Sequence, residues 1–508
     1  MKRAAGVLLP IFSLPSPHGI GCFSKEAYQF VDFLAKAGQS CWQILPLGPT
    51  SYGDSPYQSY STYAGNPYFI DLDELVKEKL LKKAEVDACD MGDGEKIDYA
   101  KLYNNRIPLL KTAYERSLEK EDPDFEEFKK DQAWWLKDYC MFRAVKEIFN
   151  DRWDKWAEDI RYRWGNAMEY YAKTYAKEIG FHEWMQYKFL QQWKKLKKYA
   201  NDKGIKIIGD IPIYVAYDSP DVWAHPELFE LDEKRQPVNV AGCPPDGFSA
   251  DGQVWGNPLY RWEHHRNTGF DWWSGRIWYC FQLYDVVRID HFRAFDEYFS
   301  IPADAPSAKS GQWKKGPGMD FFNTMKWRLG ERDIIAEDLG YMTDGVRRLV
   351  KDSGYPGMKV IQFAFDVTDV NAKGDYLPHN YTPNSVVYSG THDNETIYGW
   401  VKGIDKAQKK MVREYLNRPG MNEEELAKEL VRTAHAAVSD LCVIPMQDYL
   451  LLDNSARVNF PSSMGTNWQW RVKKSELTAA LAKEIRTVSQ RYGRLAEAPA
   501  ADSKKGEK

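Results

Sequence analysis

The segment VVRIDHFRAF, residues 286–295, decides how this chain is read. Its apolar start, Val286, Val287 and Ile289, is interrupted by Arg288 and followed at once by Asp290 and His291. Buried strands seldom tolerate such a cluster. A strand that serves as a rigid platform, however, carries polar groups where it runs out.

Seven other short apolar runs end the same way, in polar or glycine-rich loops: GVLLPIFSL, CWQILPLGP, GIKIIGDIPIYV, DIIAEDLG, MKVIQFAF, SVVYSGTHDN and LCVIPMQDYL. Their hydrophobicity is continuous, as in strands buried on both faces, and the helical stretches between them imply parallel crossovers. With the opening segment these runs predict an α/β fold, a (β/α)8 TIM barrel whose active-site groups sit at the C-terminal ends of the strands.

The chain between the second and third runs is far longer than a crossover needs. There Trp135, Tyr139, Phe142, Val145 and Phe149 recur at steps of three or four, as do Met185, Phe189, Trp193, Leu196 and Ala200. A mainly helical insertion over about residues 71–200, walling one side of a cleft, is expected. After the third run, VAGCPPDGFSADGQVWGNPLY has the Pro, Gly, Asp and Asn density of a long ordered loop over about 240–260. Residues 1–495 are thus read as a single catalytic barrel, and 496–508, which lack large apolar groups, as a disordered tail.

Charge nearly balances, with 69 basic against 73 acidic residues, so no field favours nucleic acid or anionic lipid and a neutral substrate is indicated. The 19 Trp, 31 Tyr and 23 Phe exceed what a core of this size needs. Most fill core, but a surplus suits sugars, whose apolar ring face packs on an aromatic face. Seven scattered cysteines, with no Cys-x-x-Cys pair and no zinc-finger spacing, read as a reduced cytoplasmic chain without structural metal. The start, MKRAAGVLLPIFSL, mimics a secretory signal, but Pro10 interrupts it, no small-residue cleavage site follows, and it reads as a first strand. No run approaches the roughly 18 apolar residues of a membrane span.

Three runs end in acids: Asp290, Glu337 and Asp393. Alone, each fits a helix cap or an ion pair. Converging on one barrel mouth, they are the equipment for breaking a glycosidic bond, one carboxylate as nucleophile or base and another as acid. Arg288, two residues before Asp290, points to the same face and favours its ionised form, making Asp290 the natural nucleophile; a simple tie between strands is the alternative. Glu337, near other acids and partly desolvated, is the proton donor candidate, unless Asp338 is the outward group. Asp393, between His392 and Asn394, suits gripping sugar hydroxyls as the ring flattens. With these acids committed and no His or Cys cluster left at ligand spacing, no metal or organic cofactor is expected.

VVRIDHFRAF, IAEDLG and SGTHDNET resemble the active-site segments of the 4-α-glucanotransferases, the amylomaltase or disproportionating-enzyme family allied to the α-amylases. The similarity extends along the chain through LPSPHGIG, SYGDSPYQSYSTYAGNPYFIDL, IIGDIPIYVAYDSPDVW, PPDGFSADGQVWGNPLY and RVNFPSSMGTNWQWR. The resemblance implies an α-amylase-like barrel with inserted helical subdomains and no C-terminal β-domain. It also implies Asp290 as nucleophile, Glu337 as acid/base and Asp393 as transition-state stabiliser. Arg288, His291 and His392 match positions that contact the sugar at the cleavage point, and Tyr57 matches a ring that stacks on it. Asp210, Trp255 and Asn257 match further lining residues, with core filling the alternative for Trp255, and Asp246 and Phe248 join the substrate-binding set. Gly247 between them departs from the family, which usually has an aromatic there, as do the serines and threonine of NFPSSMGTNW.

The implied activity moves a segment of an α-1,4-glucan to a 4-hydroxyl of glucose or another glucan by retaining double displacement. Its partners are α-1,4-glucans and maltooligosaccharides, with glucose as acceptor, and neither nucleic acid nor membrane. A retaining hydrolase of the α-amylase kind and a non-catalytic glucan-binding protein are the alternatives.

Overall fold

The computed structural model describes residues 3–50, 53–92, 94–245, 250–340, 342–369, 372–461, 463 and 465–496. The strands, in chain order, are β1 (Ala4–Leu8), β2 (Cys41–Gln43), β3 (Lys206–Ile211), β4 (Asn239–Cys243), β5 (Gln253–Pro258), β6 (Val286–Ile289), β7 (Glu297–Pro302), β8 (Gln312–Lys315), β9 (Ile334–Ala336), β10 (Gly357–Val360), β11 (Ser385–Tyr388) and β12 (Leu441–Pro445). Eight of them close a parallel barrel in the order β1-β12-β11-β10-β9-β6-β3-β2. Each coincides with one of the apolar runs, β1 and β10 starting one or two residues before theirs, because a strand covered by side chains within and helices without must be apolar on both faces. Leu8, Ile208, Val286, Ile335, Val386 and Val443 fill the barrel axis. Val7, Ile207 and Val287 face outward into the layer beneath the helices. The first strand stops at Leu8, sooner than its apolar run, because Pro10 has no N–H for a ladder and the chain turns into a short 3-10 helix, Ile11–Ser13.

Close packing fixes the third strand. A Cβ on Gly209 would lie 2.1 Å from the Tyr284 ring, so only glycine lets Tyr284, two residues before β6, pack this closely against β3. The register that follows opposes Asp210 to Arg288 and Ile211 to Ile289 across β3 and β6, and Arg288 to Ile335 and Ile289 to Ala336 across β6 and β9. One step beyond these last pairs, the chain presents Asp290 and Glu337 at neighbouring strand tips.

Between β2 and β3 the chain is helical, including Tyr99–Ser117, Ala133–Phe149 and Ala176–Asp202. The last of these carries its apolar residues on one stripe. Met185, Phe189, Trp193, Leu196 and Ala200 are all buried, and the Trp193 indole donates to the Leu283 carbonyl at 3.0 Å. Truncating so large a buried ring typically costs about 3–5 kcal/mol.

The stretch read as a long loop near 240–260 is instead a pair of strands. β4 and β5 pair antiparallel and join β7 and β8 in a four-stranded sheet of order β5-β4-β7-β8. The Pro and Gly density belongs to the connection between the arms, where Asp246, Gly247 and Phe248 lie outside the described residues. Ala496, assigned to the tail from the sequence, is instead held to the barrel, its N–H donating to Gly38 O at 2.9 Å, and residues 497–508 lie outside the described residues. Among the described residues no helix is long and apolar enough to cross a membrane.

Candidate active site

The register of β3 and β6 sets the charge at the barrel mouth. Arg288, 3 % exposed, directs Nη1 to both carboxylate oxygens of Asp210 at 2.7 Å, while its Nη2 lies 3.0 Å from Asp290 Oδ1. One guanidinium therefore binds two carboxylates, as its planar fork allows. The positive charge on which Asp290 was expected to rely is thus shared. Burial pushes the Asp290 carboxyl up to about 6, Arg288 opposes that rise, and Asp210 and Asp393 add to it as like charges.

At the tip of β6 the backbone turns sharply. His291 has φ 52°, the left-handed region that a side chain enters only when its surroundings enforce it. The turn aims its N–H at Glu337 Oε2, 2.6 Å away, and the Leu339 N–H donates to Oε1 at 3.0 Å. Glu337 is 9 % exposed. Burial first, and then the neighbouring Asp290, push its carboxyl up to about 8, against Arg288 and the two N–H donors. The acid that follows it is structural, since Asp338 Oδ1 accepts the Met358 N–H at 2.7 Å and ties the end of β9 to β10. Of the two, Glu337 is the one whose proton affinity Asp290 raises.

Asp393 lies five residues beyond β11, near Arg288 and Asp290. Its Oδ1 accepts from Asn459 Nδ2 at 2.7 Å and lies 3.3 Å from His392 Nε2, and Arg457 holds its carbonyl at 2.7 Å. Burial works to raise this carboxyl, but His392, Asn459 and Arg288 together hold it well below the usual range. Burial likewise opposes a charge on His392, yet Asp393 outweighs it and raises the imidazole. Asp393 is thus the acid most firmly kept ionised.

Tyr57 closes the cluster from the loop after β2. Its hydroxyl donates to Asp210 Oδ2 at 2.6 Å, and its ring stacks on His392 with centroids 4.9 Å apart and planes 13° apart. β5 contributes Trp255, half-buried and edge-on to the His291 ring at 5.0 Å. Burial, and then the Arg293 charge, push His291 down to about 3, keeping it neutral. Asn257, buried, gives its Nδ2 to Val215 O at 2.8 Å, and Asp210, 1 % exposed, is held by Arg288 and Tyr57. Tyr57, Asp210, Trp255, Arg288, Asp290, His291, Glu337, His392 and Asp393 are thus linked in one cluster. Two partners of Asp393 fall outside the expected set: Arg457 and Asn459 stand in RVNF, where only the family-like segment marks them. Among the described residues no group of three or more His, Cys, Asp or Glu side chains is placed to hold a metal ion.

Comparison with known proteins agrees along the chain. A family model described as 4-alpha-glucanotransferase matches residues 9–478. A 4-alpha-glucanotransferase of Streptococcus pneumoniae serotype 4 is 47% identical over 501 residues, covering 98% of each chain. One from Thermus thermophilus is 43% identical over 505 residues, covering 97% of this chain and all of its own. The solved structure of an amylomaltase from Streptococcus agalactiae, in complex with acarbose, superimposes with a TM-score of 0.94 at 43% identity, covering 97% of this chain and 100% of that one.

Proposed function

Since this chain belongs to the 4-alpha-glucanotransferase family, we propose that it transfers a segment of an α-1,4-glucan by retaining double displacement, with Asp290 as nucleophile and Glu337 as acid/base. The observation that carries this reading is the pair at neighbouring strand tips. Burial raises both carboxyls and the Asp290 charge raises Glu337 further, so Glu337, the more strongly raised, keeps its proton when Asp290 is ionised. Adjacent strands run about 4.8 Å apart. That spacing is on the scale of a retaining pair, whose carboxyl groups stand about 5–5.5 Å apart.

In the first step Asp290 attacks the anomeric carbon as Glu337 gives its proton to the glycosidic oxygen. The carbon–oxygen bond breaks, the leaving chain departs with a free 4-hydroxyl, and the donor remains as an ester on Asp290. In the second step Glu337, now ionised, takes the proton of an incoming 4-hydroxyl, whose oxygen attacks the anomeric carbon and releases Asp290. Asp393 and His392 hold ring hydroxyls more tightly as the ring flattens towards an oxocarbenium ion. Arg288 stabilises the carboxylate that departs from the ester. The acceptor is glucose or another maltooligosaccharide, and Tyr57 and Trp255 border its approach. The scattered cysteines support a cytoplasmic setting.

Incubation with maltotriose tests the transfer. Longer and shorter products should form while the total number of reducing ends stays constant; a rise in reducing ends matching the loss of maltotriose would show that water, not a sugar, takes the glycosyl group.

A further inference from the structure

A cavity of about 420 Å³ lies where the helix Ala133–Phe149 of the β2–β3 excursion meets the helix Asp271–Leu283. Its size falls within the range of ordinary small-molecule sites, roughly 300–1,000 Å³. None of the cluster residues described above lines it. Its walls include Trp134, Trp135, Tyr139 and Trp272, with Tyr63 from the loop that also carries Tyr57. Trp134 is 46 % exposed, and its ring meets the half-buried Tyr63 edge-on at 4.8 Å, so an open aromatic face is held in place by a less exposed one.

Gly275 also lines the cavity. It sits inside a helix, where glycine is the poorest residue short of proline. Neither of the usual reasons for a glycine applies, since its φ is not positive and a Cβ would meet nothing within 4 Å. What the missing side chain provides is room.

The polar part of the wall defines the ligand's charge. Asp138 pairs with Arg163 at 2.7 Å, Asp271 with Arg328 at 2.6 Å and Glu227 with His225 at 3.5 Å, while Asp221 accepts the Thr62 N–H at 3.0 Å. Three of these acids thus carry a cation partner and Asp221 a main-chain donor, so the wall offers hydrogen-bond acceptors with little net charge. Aromatic faces with neutralised carboxylates match a neutral sugar: apolar ring face on indole, hydroxyls to carboxylate oxygens.

We propose that this cavity is a second glycan site, separate from the cleft, that holds neutral glycosyl units of an α-glucan against Trp134 and Trp272. The choice of an α-glucan rests on the transferase reading. The site anchors chains long enough to need more than the cleft, and Ser61 and Tyr63 place it on the same loop as Tyr57.

The test is a fluorotryptophan NMR titration of full-length Asp290→Asn protein with maltoheptaose, with the Trp134, Trp272 and Trp255 signals assigned by single Trp→Phe replacements. Trp255 reports the cleft, and Trp134 and Trp272 report the cavity. All three should move. Adding Gly275→Leu, which fills the cavity with a better helix former, should weaken the Trp134 and Trp272 titration about tenfold and leave that of Trp255 unchanged. Gly275→Ala, adding only a Cβ into open space, should raise the melting temperature and keep cavity binding. Signals of Trp134 and Trp272 that stay still while Trp255 saturates, or that titrate identically in the Gly275→Leu protein, overturn the proposal. If Trp255 stays still while the cavity signals titrate, the cleft reading fails and the cavity site stands.

Discussion

The main-chain N–H of His291 donates to Glu337 Oε2 at 2.6 Å. The residue immediately after the proposed nucleophile thus positions the proposed acid/base, so both carboxyls are referenced to one turn at the tip of β6. That turn is held in the left-handed region at His291. An N–H pointed at a carboxylate lowers its proton affinity, yet Glu337 remains raised, because burial and the neighbouring Asp290 outweigh the bond. The geometry therefore fixes the position of Glu337 without costing it its proton.

Arg288 should be as important for folding as for chemistry. Replacing it with leucine leaves Asp210 buried without its cation, and breaking such a pair typically costs about 3–5 kcal/mol. Urea unfolding should show that loss in Arg288→Leu and recovery of most of it in Arg288→Leu/Asp210→Leu, with neither protein active. An unchanged unfolding midpoint in the single variant would mean that the pair does not support the barrel.

The pH profile follows from the two raised carboxyls. Catalysis needs Asp290 ionised, so kcat/KM should rise with pH through about 6; it needs Glu337 protonated, so it should fall through about 8. The two apparent values belong to the coupled pair. A glycosyl fluoride donor needs little protonation to leave. With it, Glu337→Gln should lose the alkaline limb and keep the acid limb; an alkaline limb that persists would assign that titration to another group.

Asn459 donates the shortest hydrogen bond to the Asp393 side chain. A hydrogen bond to a charged group contributes about 1.5–3 kcal/mol. Asn459→Ala should therefore lower kcat/KM by roughly ten- to a hundredfold, with the melting temperature nearly unchanged. Asn459→Asp should be worse, since it sets a like charge beside Asp393. Wild-type rates in Asn459→Ala would show that His392 and Arg457 suffice to hold the acid.

What could be read from the sequence followed from local rules. Continuous apolar runs mark strands covered on both faces, and two-residue spacing puts Arg288 beside Asp290, so the barrel and its charged tip were legible. Contacts made by register or by distant loops were not. Asp210, the other partner of Arg288, lies 78 positions away, and only the β3–β6 alignment brings the two together. Asn459 reaches Asp393 across 66 positions with no periodicity to announce it. The β4–β5 hairpin looks like loop in the sequence because Gly, Pro and Asn occur in its short arms as well as in its connection, and β4 pairs with β7 as well as with β5.

The central claim, that Asp290 forms a covalent ester with the transferred sugar, is tested most directly by mass spectrometry of Glu337→Gln protein quenched during reaction with a maltosyl fluoride. The fluoride departs without an acid, and the missing base slows the second step, so the intermediate should accumulate as one maltosyl unit on the peptide containing Asp290. An adduct on any other residue, or turnover with no adduct at Asp290, would contradict that claim.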